Sequence, residues 1–127
     1  LSAQLVAMDE VAFGADRSCW LISVASDCRV FTSQSTFGML RPGSGATYLG
    51  PVVSEEPSQV ASIVREMLSI AEGRVFWDIP TGHELSEQLA AKHGFRPVRQ
   101  LLRMWRGDAN VAGRPELQFG LLDPTTG

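Results

Sequence analysis

The chain has 127 residues and a mass of 13.8 kDa, which is long enough for one domain with a hydrophobic core. Apolar residues make up 44% of it and charged residues 20%, with a mean hydropathy of +0.02, as in an ordinary globular protein. A net charge of −3 and a pI near 5.3 argue against a protein that binds nucleic acid or membrane surfaces through its charge.

Cysteine usage and hydropathy indicate the compartment. Cys19 and Cys28 have neither the spacing of a metal site nor that of a disulfide framework, so we expect a reducing compartment and no metal. No apolar run approaches the roughly 18 residues that cross a bilayer, and the first residues lack a signal-peptide layout. These features predict a cytoplasmic protein with no membrane partner. Because the sequence begins with Leu1 and not with methionine, we expect a processed, trimmed or internal segment of a longer chain.

The first half of the chain is predicted to form two helices followed by three strands. A helical pattern covers 2–12, and Asp16 is a suitable N-cap for a second helix that ends near Ala25. Strands rich in β-branched or aromatic residues are predicted at 29–33, 36–40 and 47–53. The last of these is a nearly unbroken apolar run, as in a central strand buried on both faces. Since proline cannot donate to a strand ladder, we expect a bulge at Gly50-Pro51.

The second half alternates helices and strands. Pro57 suits the first turn of a helix that carries one apolar stripe and ends at Gly73. A strand is predicted at 75–79, and Thr81 and Glu84 form a capping box at the start of a helix that Gly94 ends. A further alternating strand is predicted at 98–106, then a polar loop at 107–114, then a last strand marked by Leu117, Phe119 and Leu121.

This order of elements predicts the fold class. The sequence α-α-β-β-β-α-β-α-β-β favours a single α/β (α+β) domain over 1–127, with a mixed, mainly antiparallel sheet and helices on both faces. Four arginines gather on or beside the penultimate strand, and they have two open interpretations: a solvated face of an edge strand, or a binding patch. They are Arg96, Arg99, Arg103 and Arg106.

Several motifs give the chain a family resemblance. In the late helix and the turn after it, Leu89, Lys92, Gly94 and Phe95 resemble the corresponding ending in the GNAT superfamily of N-acetyltransferases. Further landmarks resemble the C-terminal GNAT-like half of two-domain bacterial members; they are AFGADR at 12–17, MLRPG at 39–43, GPVV at 50–53 and RMWRG at 103–107. The first strand that the family has before its opening helix pair is missing, so an unpaired sheet edge and self-association are expected.

The resemblance implies an acetyl-CoA-dependent N-acetyltransferase that acts on an amine of a small molecule or peptide. It implies that the backbone at Val52 and Val53 aligns the pantetheine, and that Ser58 and Gln59 contact the cofactor at the next helix. Two positions depart from the family pattern. The loop at 54–60 has no glycine for the pyrophosphate, and Ala90 stands where the family has the tyrosine that protonates the departing thiolate.

The loop that departs from the family pattern has two interpretations. Pro57 removes one amide donor, and Glu55 and Glu56 place two negative charges where phosphates would lie, which disfavours a pyrophosphate. Alternatively, the two glutamates serve only to stabilise the positive end of the following helix dipole.

Five other side chains are candidates for chemistry or binding. The chain's single tyrosine, Tyr48, and Asp78 are the candidate catalytic residues, although Tyr48 would also suit the core and Asp78 the turn before the next proline. Arg41, His83 and Trp77 are the candidate substrate-binding residues.

Two main functions stay open on the sequence. One is an acetyl-CoA-dependent N-acetyltransferase. The other is a catalytically silent GNAT-like domain that shapes the acceptor site or packs against a catalytic GNAT domain, such as one N-terminal to it, or that forms a homodimer. A small-molecule sensor is a third possibility that the sequence cannot separate from the second.

Overall fold

The structure, a computed structural model, describes residues 1–104, 106–107 and 113–122. The described helices are α1 (Ala3–Phe13), α2 (Ser18–Ala25), α3 (Pro57–Ile70) and α4 (Glu84–Lys92), with a 3₁₀ turn at Pro115–Leu117. The described strands are β1 (Arg29–Thr32), β2 (Thr36–Pro42), β3 (Thr47–Ser54), β4 (Val75–Phe76) and β5 (Gln118–Gly120).

These strands form one five-stranded sheet. β1, β2 and β3 are an antiparallel meander, whereas β4 runs parallel to β3 after the α3 crossover. β5 is antiparallel to β3 and pairs with its last residues. The predicted α/β class with a mixed, mainly antiparallel sheet is therefore confirmed.

β3 is the central strand because its apolar run is buried between two layers of helices. Residues 49–54 are all buried, as the sequence pattern predicts. The pairing with β2 moves from Gly38–Val52 to Leu40–Leu49, so two residues of β2 span three of β3. The predicted bulge at Gly50-Pro51, a cis peptide bond, is confirmed by this register shift.

The helices cover both faces of the sheet, as predicted. The apolar stripe of α3 packs together with α4 against one face of the sheet. The buried residues of these two helices are Val60, Ile63, Val64, Met67, Leu89 and Ala90. α1 and α2 cover the other face with Leu5, Met8, Ala12 and Leu21. Each layer buries side chains of neighbouring strand positions, since successive residues of a strand point to opposite faces.

Several predicted boundaries are wrong. α3 ends at Ile70, and not at Gly73. The strand predicted at 75–79 has only two paired residues, because the chain then turns away from β3. The N-cap of α4 is His83, whose ring accepts from the Ser86 amide, so the predicted Thr81–Glu84 capping box does not form.

A strand is predicted at 98–106, but the described residues of this segment do not form one. Residues 98–104 have no regular secondary structure, and their apolar side chains are exposed, with Leu102 at 90% and Met104 at 86%. Alternation alone does not make a strand where no neighbour pairs with it. Of the loop predicted at 107–114, residues 108–112 lie outside the described residues, as does Trp105.

Candidate functional site

The candidate site is the fork where β3 and β4 diverge. The two strands pair only at Thr47–Val75 and Tyr48–Phe76, and no pairing follows among the described residues. A fork between parallel strands is the place where a ligand crevice usually opens in such a sheet. Here the fork contains a strand of the protein itself.

β5 fills this fork and pairs on both of its edges. On one edge, Gly120 lies opposite Val52 and Gln118 lies opposite Val53. On the other edge, the Leu121 amide donates to the Asp78 carbonyl at 2.8 Å. β5 is therefore an interior strand between β3 and the chain that continues from β4.

The carbonyl of Phe119 accepts two side-chain hydrogen bonds in the fork. The Trp77 indole N–H and the Ser86 hydroxyl each donate to it at 3.0 Å. The His83 ring packs edge-on against the Phe119 ring at 4.5 Å, and its Nε2 lies 3.1 Å from the Glu116 carbonyl oxygen. Since Phe119 is 1% exposed, these donors satisfy a buried acceptor that water cannot reach.

Two glycines permit this close fit. A Cβ on Gly50 would lie 2.1 Å from the Leu121 carbonyl oxygen, and Gly50 has a φ of +149°. A Cβ on Gly120 would lie 2.7 Å from the Trp77 indole nitrogen. Glycine inside a strand often marks such a close approach of backbones. β5 could not sit this deeply in the fork with side chains at these positions.

The end of α1 fixes the segment that leads into β5. The Ala12 carbonyl accepts from the Arg114 amide at 2.9 Å and from the Gln118 side-chain amide at 2.7 Å. Gly113 lies so close that a Cβ there would be 2.6 Å from the Phe13 carbonyl oxygen. The Arg114 guanidinium also forms an ion pair with the Glu116 carboxylate at 2.8 Å, and it lowers the pKa of that carboxyl.

The start of α3, where a pyrophosphate would bind, is occupied by internal hydrogen bonds. The Ser54 hydroxyl accepts from the Glu56 amide at 2.9 Å and lies 2.6 Å from the Thr36 hydroxyl. The Ser58 hydroxyl donates to the Glu56 carboxylate at 2.7 Å. The Gln59 side-chain carbonyl accepts from the Ser33 hydroxyl. The Glu56 carboxylate therefore lies beside the first turn of α3, held by the Ser58 hydroxyl, near the place where a helix N-terminus favours a bound anion.

Most of the predicted site residues contact the segment 116–122 and do not line an open crevice. Val52, Val53 and Asp78 pair with it through their backbones, and Trp77 and His83 contact Glu116 and Phe119 as above. Arg41 donates through Nη2 to the Leu122 carbonyl. Pantetheine could therefore reach the backbone of Val52 and Val53 only if β5 moved out.

Tyr48 lies apart from the loop at the start of α3. It is half-buried near the beginning of β3, stacked on Phe76 at 5.8 Å with the Arg41 guanidinium 5.4 Å from its ring centroid. Ser54 lies six positions further along β3, which at roughly 3.3 Å per residue is about 20 Å along the strand. Tyr48 and the predicted cofactor-contacting pair Ser58 and Gln59 are thus at opposite ends of β3.

Other groups near the sheet have structural environments. Ala90, at the family's tyrosine position, is buried in the core of the α3 layer. Burial raises the pKa of the Cys28 thiol, an effect that the nearby Arg41 guanidinium partly offsets. Arg41 itself has a buried Nε for which the described residues provide no hydrogen-bond partner.

The sequence did not single out Ser86 or Gly120, although both complete the fork. Ser86 is fully buried, and nothing in a helix of mixed polarity marks one serine as the donor to a distant carbonyl. Gly120 lies inside the predicted strand, between Phe119 and Leu121, and a glycine inside a strand is a signal for close backbone approach.

The described residues contain neither a metal-binding cluster nor a membrane-spanning helix. Within them, no group of three or more His, Cys, Asp or Glu side chains could hold a metal ion. None of the helices in the described ranges has both the length and the apolar character needed to cross a membrane.

Comparison with known proteins gives the family. A crystal structure from Pyrococcus horikoshii, described as a "putative acetyltransferase", superposes with a TM-score of 0.85 at 21% identity and so shares the fold. The match covers 100% of this chain and 43% of that chain, so this chain spans less than half the length of that protein. No curated protein matches the sequence. A family model for the acetyltransferase (GNAT) domain matches residues 5–120, and the chain therefore belongs to the GNAT acetyltransferase family.

Proposed function

We propose that this chain is the domain of an acetyl-CoA-dependent N-acetyltransferase that does not itself bind the cofactor. It works with a cofactor-binding GNAT domain, either N-terminal to it in the same polypeptide or in another chain. The observation that carries this proposal is β5, which occupies the fork between β3 and β4 with hydrogen bonds on both edges. The acceptor is an amine of a small molecule or peptide, as is general for the family.

The start of α3 supports the same conclusion. GNAT domains that bind acetyl-CoA use bare backbone amides at this helix N-terminus for the pyrophosphate. In this chain Pro57 has no amide hydrogen, and the Glu56 carboxylate accepts from Ser58. A phosphate at about 4 Å from one glutamate would be repelled by a few kcal/mol near a protein surface.

The length of the matched protein supports a second domain. The Pyrococcus horikoshii chain is more than twice as long as the part that this chain covers. A neighbouring GNAT domain would supply acetyl-CoA and the acid for the thiolate, for which Ala90 has no ionisable group. The half-buried side chains of Asp78, His83 and Arg41 would then shape the acceptor side of the assembly.

The competing function is an acetyltransferase in which this chain binds acetyl-CoA itself, with Tyr48 and Asp78 as its catalytic residues. The match to the family model over residues 5–120 favours it. It requires β5 to leave the fork, which breaks the ladder to Val52 and Val53 and the bonds to Trp77 and Ser86. It also requires Tyr48 to act from the far end of β3.

Thermal unfolding with acetyl-CoA separates the two functions. A ligand at a hundred times its dissociation constant stabilises a protein by ~2.7 kcal/mol. We expect no change in Tm for this chain at millimolar acetyl-CoA. A clear rise in Tm would contradict the proposal and favour the competing function.

A charge-removing variant identifies which feature excludes the cofactor. The double variant Glu55→Gln with Glu56→Gln removes the two negative charges but leaves β5 in the fork. We expect that it also fails to respond to acetyl-CoA. Stabilisation of this variant alone would mean that the two carboxylates, and not β5, keep the cofactor out.

A further inference from the structure

His83 makes polar contacts through both of its ring nitrogens. Its Nε2 lies 3.1 Å from the Glu116 carbonyl oxygen, and its Nδ1 lies 3.0 Å from the Ser86 hydroxyl oxygen. Because a carbonyl oxygen can only accept, Nε2 carries a hydrogen. Nδ1 is therefore the nitrogen that is bare in the neutral ring and protonated in the imidazolium.

The Ser86 hydroxyl connects this ring to β5. Its oxygen lies 3.0 Å from the Phe119 carbonyl oxygen and equally 3.0 Å from His83 Nδ1. Ser86 is 0% exposed, so bulk water does not compete for its hydroxyl. A hydroxyl has one hydrogen to donate, although its oxygen can accept a hydrogen bond at the same time.

The charge of the ring decides which partner receives the hydroxyl hydrogen. A bare Nδ1 competes with the Phe119 carbonyl for that single hydrogen, and only one of the two acceptors can have it. A protonated Nδ1 instead donates to the Ser86 oxygen, so the hydroxyl hydrogen is left for Phe119. Donation then runs in one direction, from His83 through Ser86 to β5.

Protonation of the ring also removes one hydrogen bond. The Ser86 amide donates to the bare Nδ1 at 3.4 Å, and this is the side-chain cap of α4. Its length exceeds the usual range of roughly 2.7–3.2 Å for an N–H donor, so the bond is weak. The imidazolium therefore gives up the longest contact and keeps both contacts of 3.0 Å.

The charged groups around the ring act in both directions. The helix that begins after His83 has ionisable side chains at both ends, namely Glu84, Glu87, Lys92 and His93. The Glu87 carboxylate accepts from the Gly82 amide, and the Glu116 carboxylate is paired with Arg114. These carboxylates favour a cation, whereas the N-terminus of α4 disfavours one. The arrangement of donors at Ser86 then determines which ring charge suits β5.

We propose that His83 is a proton-controlled latch on β5. When the ring gains a proton, the Ser86 hydroxyl commits its hydrogen to Phe119, whose carbonyl then has two donors with Trp77. When the ring loses the proton, Nδ1 draws the hydroxyl away and Trp77 holds the carbonyl alone. Because His83 is only half-buried, its ring can exchange protons with solvent. Acidification within the range of about pH 5 to 8, where histidine changes its charge, should therefore fasten β5 in the fork.

Nuclear magnetic resonance on the unmodified chain tests the latch. The nitrogen-15 shifts of the His83 ring report its protonation, and we expect the Nε2–H form at high pH. The carbon-13 shift of the Phe119 carbonyl should move with the same midpoint. The protection factor of the Leu121 amide, which donates to the Asp78 carbonyl, should be about fivefold higher once His83 is protonated.

Two variants separate the latch from other pH effects. His83→Asn keeps an N-cap side chain for α4 and leaves His93 in place, so neither the Phe119 shift nor the Leu121 protection factor should follow a histidine titration. Ser86→Ala leaves His83 free to gain its proton but removes the hydroxyl, so the Phe119 carbonyl should no longer follow that event. Circular dichroism checks folding; if Ser86→Ala does not fold, His83→Asn and the unmodified chain decide.

Three outcomes would overturn the proposal. One is a Phe119 carbonyl and a Leu121 protection factor that stay constant while His83 gains its proton. Another is a neutral ring with its hydrogen on Nδ1, since such a ring would donate to Ser86 without any proton uptake. The third is a pH response of the Phe119 carbonyl that persists in folded His83→Asn. All of these measurements are made without acetyl-CoA, so they are independent of the proposed function.

Discussion

Two segments after α4 have similar sequence patterns and different structures. Residues 98–104 and 117–121 both alternate in the way that is typical of a half-buried strand. The second forms β5 in the middle of the sheet, whereas the first has no regular structure. The apolar side chains of the first are exposed, up to 90% at Leu102, while Phe119 in the second is 1% exposed.

The difference lies in what each segment meets. β5 meets a strand edge at Val52 and Val53, two donors to the Phe119 carbonyl, and a glycine on each side of the contact. Residues 98–104 meet no such edge among the described residues, and their arginines favour water. Alternation thus shows where a strand can form, and a complementary neighbour decides whether it does.

The largest effect is expected for Gly50→Ala. The added methyl group would lie 2.1 Å from the Leu121 carbonyl oxygen, at a φ of +149° that side chains disfavour. Steric and backbone strain together should destabilise the chain by about 3 kcal/mol or more. Chemical unfolding measures the change, and Gly45→Ala is the control, because nothing lies within 4 Å of a Cβ there. Equal stability of the two variants would mean that β5 does not approach β3 this closely.

A smaller loss is expected for Gly120→Ala. Its methyl group would meet the Trp77 indole nitrogen at 2.7 Å, and a side chain can shift further than a backbone carbonyl can. We expect a loss of about 1–3 kcal/mol in the free energy of unfolding. A change in Trp77 fluorescence should accompany it. A variant with unchanged stability and fluorescence would contradict the packing of β5 against Trp77.

A third prediction concerns the two donors to the Phe119 carbonyl. Trp77→Phe and Ser86→Ala each leave that carbonyl with one donor, but the double variant leaves a buried acceptor with none. The double variant should therefore lose about 1 kcal/mol more than the sum of the single variants. Strictly additive losses would indicate that the two donors do not share one acceptor.

The smallest effect is expected in the exposed segment. Leu102→Ser removes an apolar side chain that is 90% exposed, so the free energy of unfolding should change by less than about 0.5 kcal/mol. Phe119→Ser is the matched change in β5 and should cost several times more, because it empties a buried site. A large loss for Leu102→Ser would mean that this segment is packed in solution.

The elements with strong local signals could be predicted from the sequence. The amphipathic stripe of α3, the buried run of β3 and the bulge at Gly50-Pro51 each follow from patterns within a few residues. Those patterns were sufficient for the fold class. They are local because helix periodicity and proline geometry act within one element.

The content of the fork could not be predicted in the same way. It depends on residues about seventy apart, since Gly50 accommodates Leu121 and Val52 pairs with Gly120. A local pattern contains no information on such a pairing. The prediction of a capping box for α4 was wrong for a related reason. The His83 ring caps the helix and also packs on Phe119, a residue near the other end of the sequence.

Hydrogen exchange at the Leu121 amide tests the central claim most directly. This amide donates to the Asp78 carbonyl only while β5 lies in the fork. We expect it to be protected to the same degree with and without millimolar acetyl-CoA, because the cofactor does not enter. An amide that exchanges freely, or one that loses its protection when acetyl-CoA is added, would show that the fork is open to the cofactor and would contradict the account.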